Sequence, residues 1–363
     1  MEEIEVTSEK RRSFAGTLKE MILFIVRMGI AVGIIGWLVY KNYPDLIKAL
    51  DHFNYYWLIP AVILYTLHLF VSAWRWRVLL ELQSIRISFI EALSLTMQGF
   101  FFSLVLPGGS LGGDVVKGAA ITKRAPEGKK LTGAFTILID RVLGMISLFS
   151  LAGIAGLISY RFLAGLSGMM EIIFYYLIFG CTVCFGAAIV LFFHRYLEKI
   201  KLIKWLLEIA DKISKGMINR LMNAMDCFRN AWPVLLKIMA VNIIFIHIVL
   251  AGVGYCIARG INTPDIEPEI YILGTSLGNA AGSIPMTPAG TGTRDWVFEK
   301  VFSAAFMSDD PELSHKNASG MALAIALIFT GMMLSFNLSG GLFFIFDKSG
   351  KSQMSRREIT EKD

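Results

Sequence analysis

The feature that most constrains this chain is a series of long apolar runs. Runs of about 20 predominantly apolar residues recur along the sequence, and this is the length at which a helix crosses the ~30 Å hydrocarbon core of a bilayer. Only 18% of the residues are charged, against roughly a quarter in soluble proteins. The sequence therefore predicts an all-α polytopic membrane protein with about six full transmembrane helices, at residues 21–40, 55–74, 131–159, 171–193, 233–258 and 318–346.

The basic charge balance indicates a membrane surface and not a nucleic-acid partner. The net charge is +6, but the lysines and arginines flank the apolar runs and form no separate domain, as expected of loops that face anionic lipid. The four cysteines and five histidines show no spacing typical of a metal site or a disulfide framework. We therefore expect no metal, no cofactor and no nucleic-acid partner.

The distribution of Lys and Arg also predicts the orientation. Basic residues are concentrated in the segments 1–20, 75–86, 117–130, 195–230 and 347–363, whereas the intervening loops carry few and the last of them is acidic. Because cytoplasmic loops carry the excess of Lys and Arg, both termini are predicted to be cytoplasmic in a multi-pass plasma-membrane protein. The predicted organisation is an N-terminal tail (1–20), one transmembrane domain (21–346) with an amphipathic surface helix (195–230), and a C-terminal tail (347–363).

Two further apolar segments, 87–122 and 268–306, are interrupted by helix-breaking residues. The first contains "LPGGSLGGD" and the second "TPAGTGTRD". In the predicted orientation each segment begins and ends on one side of the membrane, so each is expected to enter the bilayer and return, from opposite faces. Irregular backbone at membrane depth is tolerated only where protein buries it or where it lines a polar cavity.

The two interruptions share a pattern, P-x-G-[ST]-x-x-x-D, at a spacing of 181 residues. Matched interruptions in segments of opposite orientation are typical of inverted repeats with broken helices at a central site. The alternative to an inverted repeat is that the four matches arise by chance in a Gly-rich window. The paired positions are Pro107 with Pro288, Gly109 with Gly290, Ser110 with Thr291, and Asp114 with Asp295.

Each interruption predicts a helix that begins inside the membrane, near Leu111 and near Thr293, with Ser110 and Thr293 as N-cap residues. Two helix N-termini that point into one cavity would favour an anion, and glycine lets a head group approach the backbone. The alternative is a tight turn between tilted helices. The backbone residues predicted to line the lipid path are Gly108, Gly109, Ser110, Gly290, Thr291, Gly292 and Thr293.

Charged residues within the apolar segments are the candidates for binding a phosphate. A charge in the membrane is costly unless it is paired or faces water, and a guanidinium can bind phosphate in a fork. Arg141 and Arg294 are therefore the predicted phosphate ligands, supported by Asp114, Lys117, Asp140 and Asp295. A purely structural interpretation stays open, in which Asp114 and Asp295 favour helix N-termini and Asp140 pairs with a buried arginine. His68 and His247, each alone on an apolar helix, are expected to be satisfied by packing.

The ordered motifs "LPGGSLGGDVVKG", "IDRVLG" and "IPMTPAGTGTRD" resemble the signature of the lysylphosphatidylglycerol synthase transmembrane-region family. The resemblance implies a flippase-like membrane domain, here without the aminoacyl transferase domain that follows it in bifunctional members. The usual second motif is "PGGLGxRE", so this chain departs from it with Ala289 and Asp295, while Arg294 is kept.

The residues and the resemblance together predict a lipid flippase-like transporter that binds an anionic lipid, either a phospholipid or a polyprenyl-phosphate-linked lipid, near the membrane midplane and moves its head group across the bilayer. Two alternatives stay open, an accessory subunit that presents lipid to an enzyme and a lipid-modifying transferase. The expected partners are membrane lipids, with an envelope-lipid biosynthetic enzyme or a second copy of the chain as further candidates.

Overall fold

The computed structural model describes residues 53–106, 109–126, 128–164, 169–197, 199–213, 231–284 and 287–346, together with Phe228 and scattered positions between 33 and 51. Several predicted features lie outside these residues. They are most of the first span (21–40), both tails, residues 214–227 of the surface helix, and Gly108 in the first interruption.

Every regular element within the described residues is a helix. The main helices are α1 (Leu58–Leu82), α2 (Phe89–Val105), α3 (Ser110–Arg124), α4 (Lys130–Ile158), α5 (Tyr160–Ala164), α6 (Met169–Leu197), α7 (Lys201–Ile213), α8 (Trp232–Asn242), α9 (Val249–Ile261), α10 (Pro268–Ser283), α11 (Thr293–Asp309) and α12 (His315–Phe346). A π-helical segment, Ile243–Ile248, joins α8 to α9, and short 3₁₀ turns lie at Tyr55–Trp57 and Pro288–Gly290.

The predicted class, an all-α membrane protein, is confirmed. Within the described residues, four helices are long and apolar enough to cross a membrane, namely Tyr55–Leu82, Lys130–Ile158, Trp232–Ile261 and His315–Phe346. These correspond to four of the predicted spans. The predicted end of the second span at residue 74 is wrong, because its helix continues to Leu82 and carries Arg75 into the helix bundle. The predicted span at 171–193 lies within α6, a helix of 29 residues.

The segment 87–122 forms an antiparallel helical hairpin. At its open end the guanidinium of Arg124 donates to the carboxylate of Glu91 at 2.7 Å. Midway along the hairpin Gly113 contacts Gly99 backbone to backbone, since a Cβ at Gly113 would overlap the Gly99 carbonyl. With 17 and 15 residues, α2 and α3 are shorter than the four spans.

The segment 268–306 forms a second antiparallel hairpin, from α10 and α11. Glycines on α10 allow the close approach, because Gly274 faces Phe302, Gly278 faces Phe298, and Gly282 faces Gly290. The helix–loop–helix organisation predicted for both segments is therefore present. The opposite entry of the two hairpins from the two membrane faces, like the cytoplasmic termini, stays a prediction.

The long helices surround the hairpins. Helix α12 packs against both α11 and α2, α4 packs against α3 and α10, and α1 packs against α9 and α2. Buried aromatic rings fill the interface between α11 and α12, with Phe298 and Phe329 at a centroid distance of 5.4 Å. Within the described part of the two interruptions, Gly109, Thr287 and Gly290 are buried in protein, in agreement with the requirement on irregular backbone in a membrane.

The Gly99–Gly113 contact generates a prediction about stability. Gly113→Ala should lower the unfolding temperature, because overpacking a close contact costs about 1–3 kcal/mol, which exceeds the ~1 kcal/mol gained by replacing a helical glycine. The matched control is Gly118→Ala on the same helix, where the added methyl would lie 3.6 Å from an Ile137 methyl, an ordinary contact. The measurement is thermal unfolding of the two purified variants. Equal unfolding temperatures would contradict the inference that Gly113 is needed for the close contact with Gly99.

Candidate functional site

The tips of the two hairpins meet inside the bundle. Gly109 has φ +57°, and a Cβ built on it would lie 3.0 Å from the carbonyl oxygen of Thr287 in the other interruption. The 3₁₀ turn Pro288–Gly290 packs against both α2 and α3. Gly290, with φ +73°, lies so close to Gly282 that a side chain would overlap its backbone. Glycine at positions 109 and 290 is therefore required by both conformation and space.

Two adjoining chambers lie around these tips. The first, of about 270 Å³, is lined by residues of α1, α2, α3 and α4 and of the π-helical segment, among others. The second, of about 250 Å³, contains Arg294 and residues of α12. The two chambers share a wall whose polar members are His68, Ser103, Ser110, Asn279 and Ser283.

Arg141 lines the first chamber and is held by the first hairpin tip. Its Nε donates to the carboxylate of Asp114, and its terminal nitrogens donate to the Ser110 hydroxyl at 3.3 Å and the Ser110 carbonyl at 2.8 Å. Arg141 and Asp114, both predicted at the site, are therefore paired with each other, and their role in binding a lipid stays a prediction. The guanidinium is already engaged by protein oxygens, however, so that Arg141 fixes the start of α3 as well as facing the chamber.

Asp140 pairs with Arg75, which lies in the basic segment 75–86, beyond the predicted end of the second span. Arg75 donates to both carboxylate oxygens of Asp140, at 2.6 and 2.8 Å, and to the Asn242 amide oxygen at 3.1 Å. This bidentate geometry supports the structural interpretation of Asp140. A sequence signal for Arg75 existed, because "VLLEL" continues the apolar run beyond it and an aspartate within an apolar span needs a cation.

Lys117 is the cation of the first chamber without a carboxylate partner. Its ammonium lies 4.0 Å from the centroid of the Trp76 ring, and none of the described carboxylates lies within ion-pair distance of it. Its side chain is buried, with 8% of the residue exposed. Because Arg75 and Arg141 are each matched by one aspartate, Lys117 leaves the chamber with one positive charge in excess.

Arg294 lies at the second hairpin tip and is almost fully buried. Its terminal nitrogens donate to Thr330 Oγ1 at 2.6 Å and Met333 Sδ at 2.9 Å, and the group lies over the Phe329 ring. Its Nε has no hydrogen-bond partner among the described residues and lies 3.6 Å from Asp295 Oδ1. The partner set of this guanidinium is therefore incomplete.

Asp295 holds the start of α11 through hydrogen bonds to the backbone and to α12. The carboxylate, fully buried, accepts from the Gly292 N–H at 3.0 Å and from the Thr330 hydroxyl. It thus satisfies a backbone donor at the helix start and carries a negative charge near the positive end of the helix dipole.

The predicted N-caps are wrong. Ser110 and Thr293 are the first helical residues, and glycines, Gly109 and Gly292, occupy the preceding N-cap positions. Positive φ at both N-caps excludes a side chain there. The hydroxyls are used otherwise, since Ser110 accepts from Arg141 and Thr293 donates to the Gly290 carbonyl at 3.2 Å.

The matched aspartates of the two interruptions are not structurally equivalent. Asp114 is the fifth residue of α3 and pairs with Arg141, whereas Asp295 is the third residue of α11 and closes its start. The two interruptions are similar in composition and differ in register by two residues.

The second interruption contributes less of the chamber surface than predicted. Within the described residues, Ala289 and Arg294 line the second chamber, whereas Gly290, Thr291, Gly292 and Thr293 line neither chamber. Ala289 has φ +48°, a conformation that favours glycine. Ala289 is one of the two positions at which the chain departs from the motif of the family that it resembles.

Comparisons with known proteins agree with this architecture. A family model described as the lysylphosphatidylglycerol synthase TM region matches residues 24–338 of the 363-residue chain. A UPF0104 membrane protein of Pyrococcus horikoshii is 24% identical over 129 residues, which cover 36% of this chain and 38% of the relative.

The capping role of Asp295 can be tested by its removal. Asp295→Ala should lower the free energy of unfolding by about 3 kcal/mol or more, because it leaves Arg294 as an uncompensated buried charge and frees a helix-start N–H. Asp309→Ala, at the exposed end of the same helix, is the matched control and should change stability little. The measurement is detergent or thermal unfolding of both variants. An equal decrease in the free energy of unfolding in the two variants would refute the capping role of Asp295.

Proposed function

The chain belongs to the lysylphosphatidylglycerol synthase TM region family, and from this membership we propose that it binds an anionic lipid between its two hairpins and moves the lipid head group across the bilayer. The proposal concerns this chain's own chambers, and it names the lipid phosphate as the group that they bind.

The observation that carries the proposal is the excess positive charge of Lys117 inside an apolar helix bundle. A buried charge without a partner costs several kcal/mol, and within a membrane such a charge marks a ligand or ion site by default. The Trp76 ring offsets part of this cost through a cation–π contact. An anionic phosphate in the first chamber would supply the missing opposite charge.

Arg294 gives independent support from the second chamber. A cation at the first turn of a helix is opposed by the helix dipole, so that helix stability alone does not favour arginine at this position. The Nε of this guanidinium is buried and lacks a hydrogen-bond partner within the described part of the chain. A phosphate would accept from that group and would be favoured by the same helix N-terminus.

Movement of the head group is supported by the shared wall between the chambers. Three hydroxyls and one amide, from Ser103, Ser110, Ser283 and Asn279, face both chambers. A phosphate that passes between Lys117 and Arg294 would meet the Ser110 hydroxyl and the Asn279 amide. The hydroxyls of Ser103 and Ser283 donate to backbone carbonyls and would have to rotate to reach it. The tips lie near the middle of the long helices, since Arg294 contacts Thr330, halfway along α12.

The proposal predicts that Lys117→Gln slows transbilayer movement of an anionic lipid. Loss of a charge-assisted hydrogen bond of about 1.5–3 kcal/mol corresponds to a decrease of about tenfold or more. The measurement is quenching of a fluorescent phosphatidylglycerol in liposomes that contain the purified protein. The matched control is Lys123→Gln, on the same helix at an exposed position, which should retain the wild-type rate.

Three outcomes separate the functional alternatives. Equal rates for both lysine variants would contradict a role for Lys117. Binding of the lipid without any transbilayer movement would favour an accessory protein that presents lipid to an enzyme. Release of a chemically altered lipid would favour a transferase.

A further inference from the structure

A π-helical segment places two polar side chains beside the first chamber. Ile243–Ile248 interrupts the helix from Trp232 to Ile261, and π-helical turns are rare and frequently occur at functional sites. Their i to i+5 pitch aligns Asn242 with His247, five residues later. Asn242 accepts from Arg75 at 3.1 Å, and His247 lines the chamber.

Apart from the Gly144 backbone beside its ring, His247 has no hydrogen-bonding partner in the described part of the chain, contrary to the expectation that packing satisfies it. Only 8% of the residue is exposed, and neither ring nitrogen has a partner within the described residues. The Gly144 backbone faces the ring but does not meet hydrogen-bond geometry. A buried polar group without a partner costs about 1–3 kcal/mol, which a ligand in the chamber would relieve.

His68 repeats this arrangement on helix α1. Its Nδ1 is also buried without a partner among the described residues, and the side chain lies in the wall shared by the two chambers. The aromatic neighbour is Tyr65, at a ring-centroid distance of 5.5 Å, which offers no acceptor to Nδ1. The two histidines therefore line one cavity and hold buried ring nitrogens without partners among the described residues, which a ligand would reach through a rotation of the rings.

The chemistry of imidazole limits what these nitrogens can bind. A further positive charge beside Arg75 and Lys117 would be unfavourable in so buried a place, so the neutral ring is the relevant form. A neutral ring offers one N–H donor and one acceptor nitrogen. An ammonium only donates and a phosphate only accepts, whereas a hydroxyl does both and can satisfy either nitrogen.

We propose that His68 and His247 recognise free hydroxyls on the head group of the bound lipid, next to the phosphate held by Lys117. The inference rests on the proposed function and narrows its substrate to phosphodiester lipids whose head group carries hydroxyls. His247 and His68 are positioned to set specificity, while Lys117 supplies affinity for the phosphate that all such lipids share.

The test compares two lipids of equal charge that differ in head-group hydroxyls. Phosphatidylglycerol and phosphatidylmethanol with the same acyl chains are titrated against the purified full chain, and binding is measured by native mass spectrometry. We expect the wild-type protein to bind phosphatidylglycerol about tenfold more tightly, as two neutral hydrogen bonds would give. His247→Leu should reduce this ratio toward one and leave the affinity for phosphatidylmethanol within about twofold.

Controls separate recognition from folding. His315→Leu, at an exposed position at the start of α12, should keep the wild-type ratio, and His68→Leu should lower it independently of His247. Equal affinity of the wild-type protein for both lipids would overturn the hydroxyl proposal and leave the anionic-lipid site standing. An equal loss of affinity for both lipids in the His247→Leu variant would also overturn the hydroxyl proposal. Failure of both lipids to bind would instead refute the proposed function.

Discussion

The structure depends on the matching of each buried charge by an opposite charge, a polar group or a ring. The fork from Arg75 to Asp140 and the contact of Arg141 with Asp114 bring α1, α3 and α4 together around one chamber. Asp295 fixes the start of α11 in the same way. Because desolvating a charge costs several kcal/mol, the exceptions are informative. Lys117 and Arg294 are two cations whose described partners are incomplete, and they lie in adjoining chambers.

The interrupted backbone makes those chambers possible. Two continuous helices would fill the centre of the bundle with side chains, whereas two hairpins that meet tip to tip leave helix starts and polar atoms there. Glycine is required where the tips approach each other, at Gly109 and Gly290, and both of these glycines are buried within the bundle. The same arrangement that satisfies the backbone thus creates a polar cavity in an apolar protein.

Much of the fold could be predicted from the sequence, because long apolar runs and Pro/Gly interruptions have few alternatives in a membrane. The pairing of side chains within the site could not be predicted from the sequence. Arg75 was assigned to a loop because charged residues usually mark span ends, yet α1 continues for seven residues beyond it. The P-x-G-[ST]-x-x-x-D match suggested equivalent aspartates, but a two-residue difference in helix start gives Asp114 and Asp295 different partners. The unpaired nitrogens of His247 depend on a π-helical turn, for which "IIFIHI" carries no recognisable signal.

The central claim is that a lipid phosphate completes the partners of Lys117 and Arg294. The most direct measurement is an electron cryo-microscopy structure of the protein in nanodiscs of an anionic phospholipid. The account predicts phosphate density between the hairpin tips, within hydrogen-bond distance, about 3 Å, of Lys117 Nζ or Arg294 Nε. Phosphates confined to the two membrane surfaces, with both chambers holding only water, would contradict it.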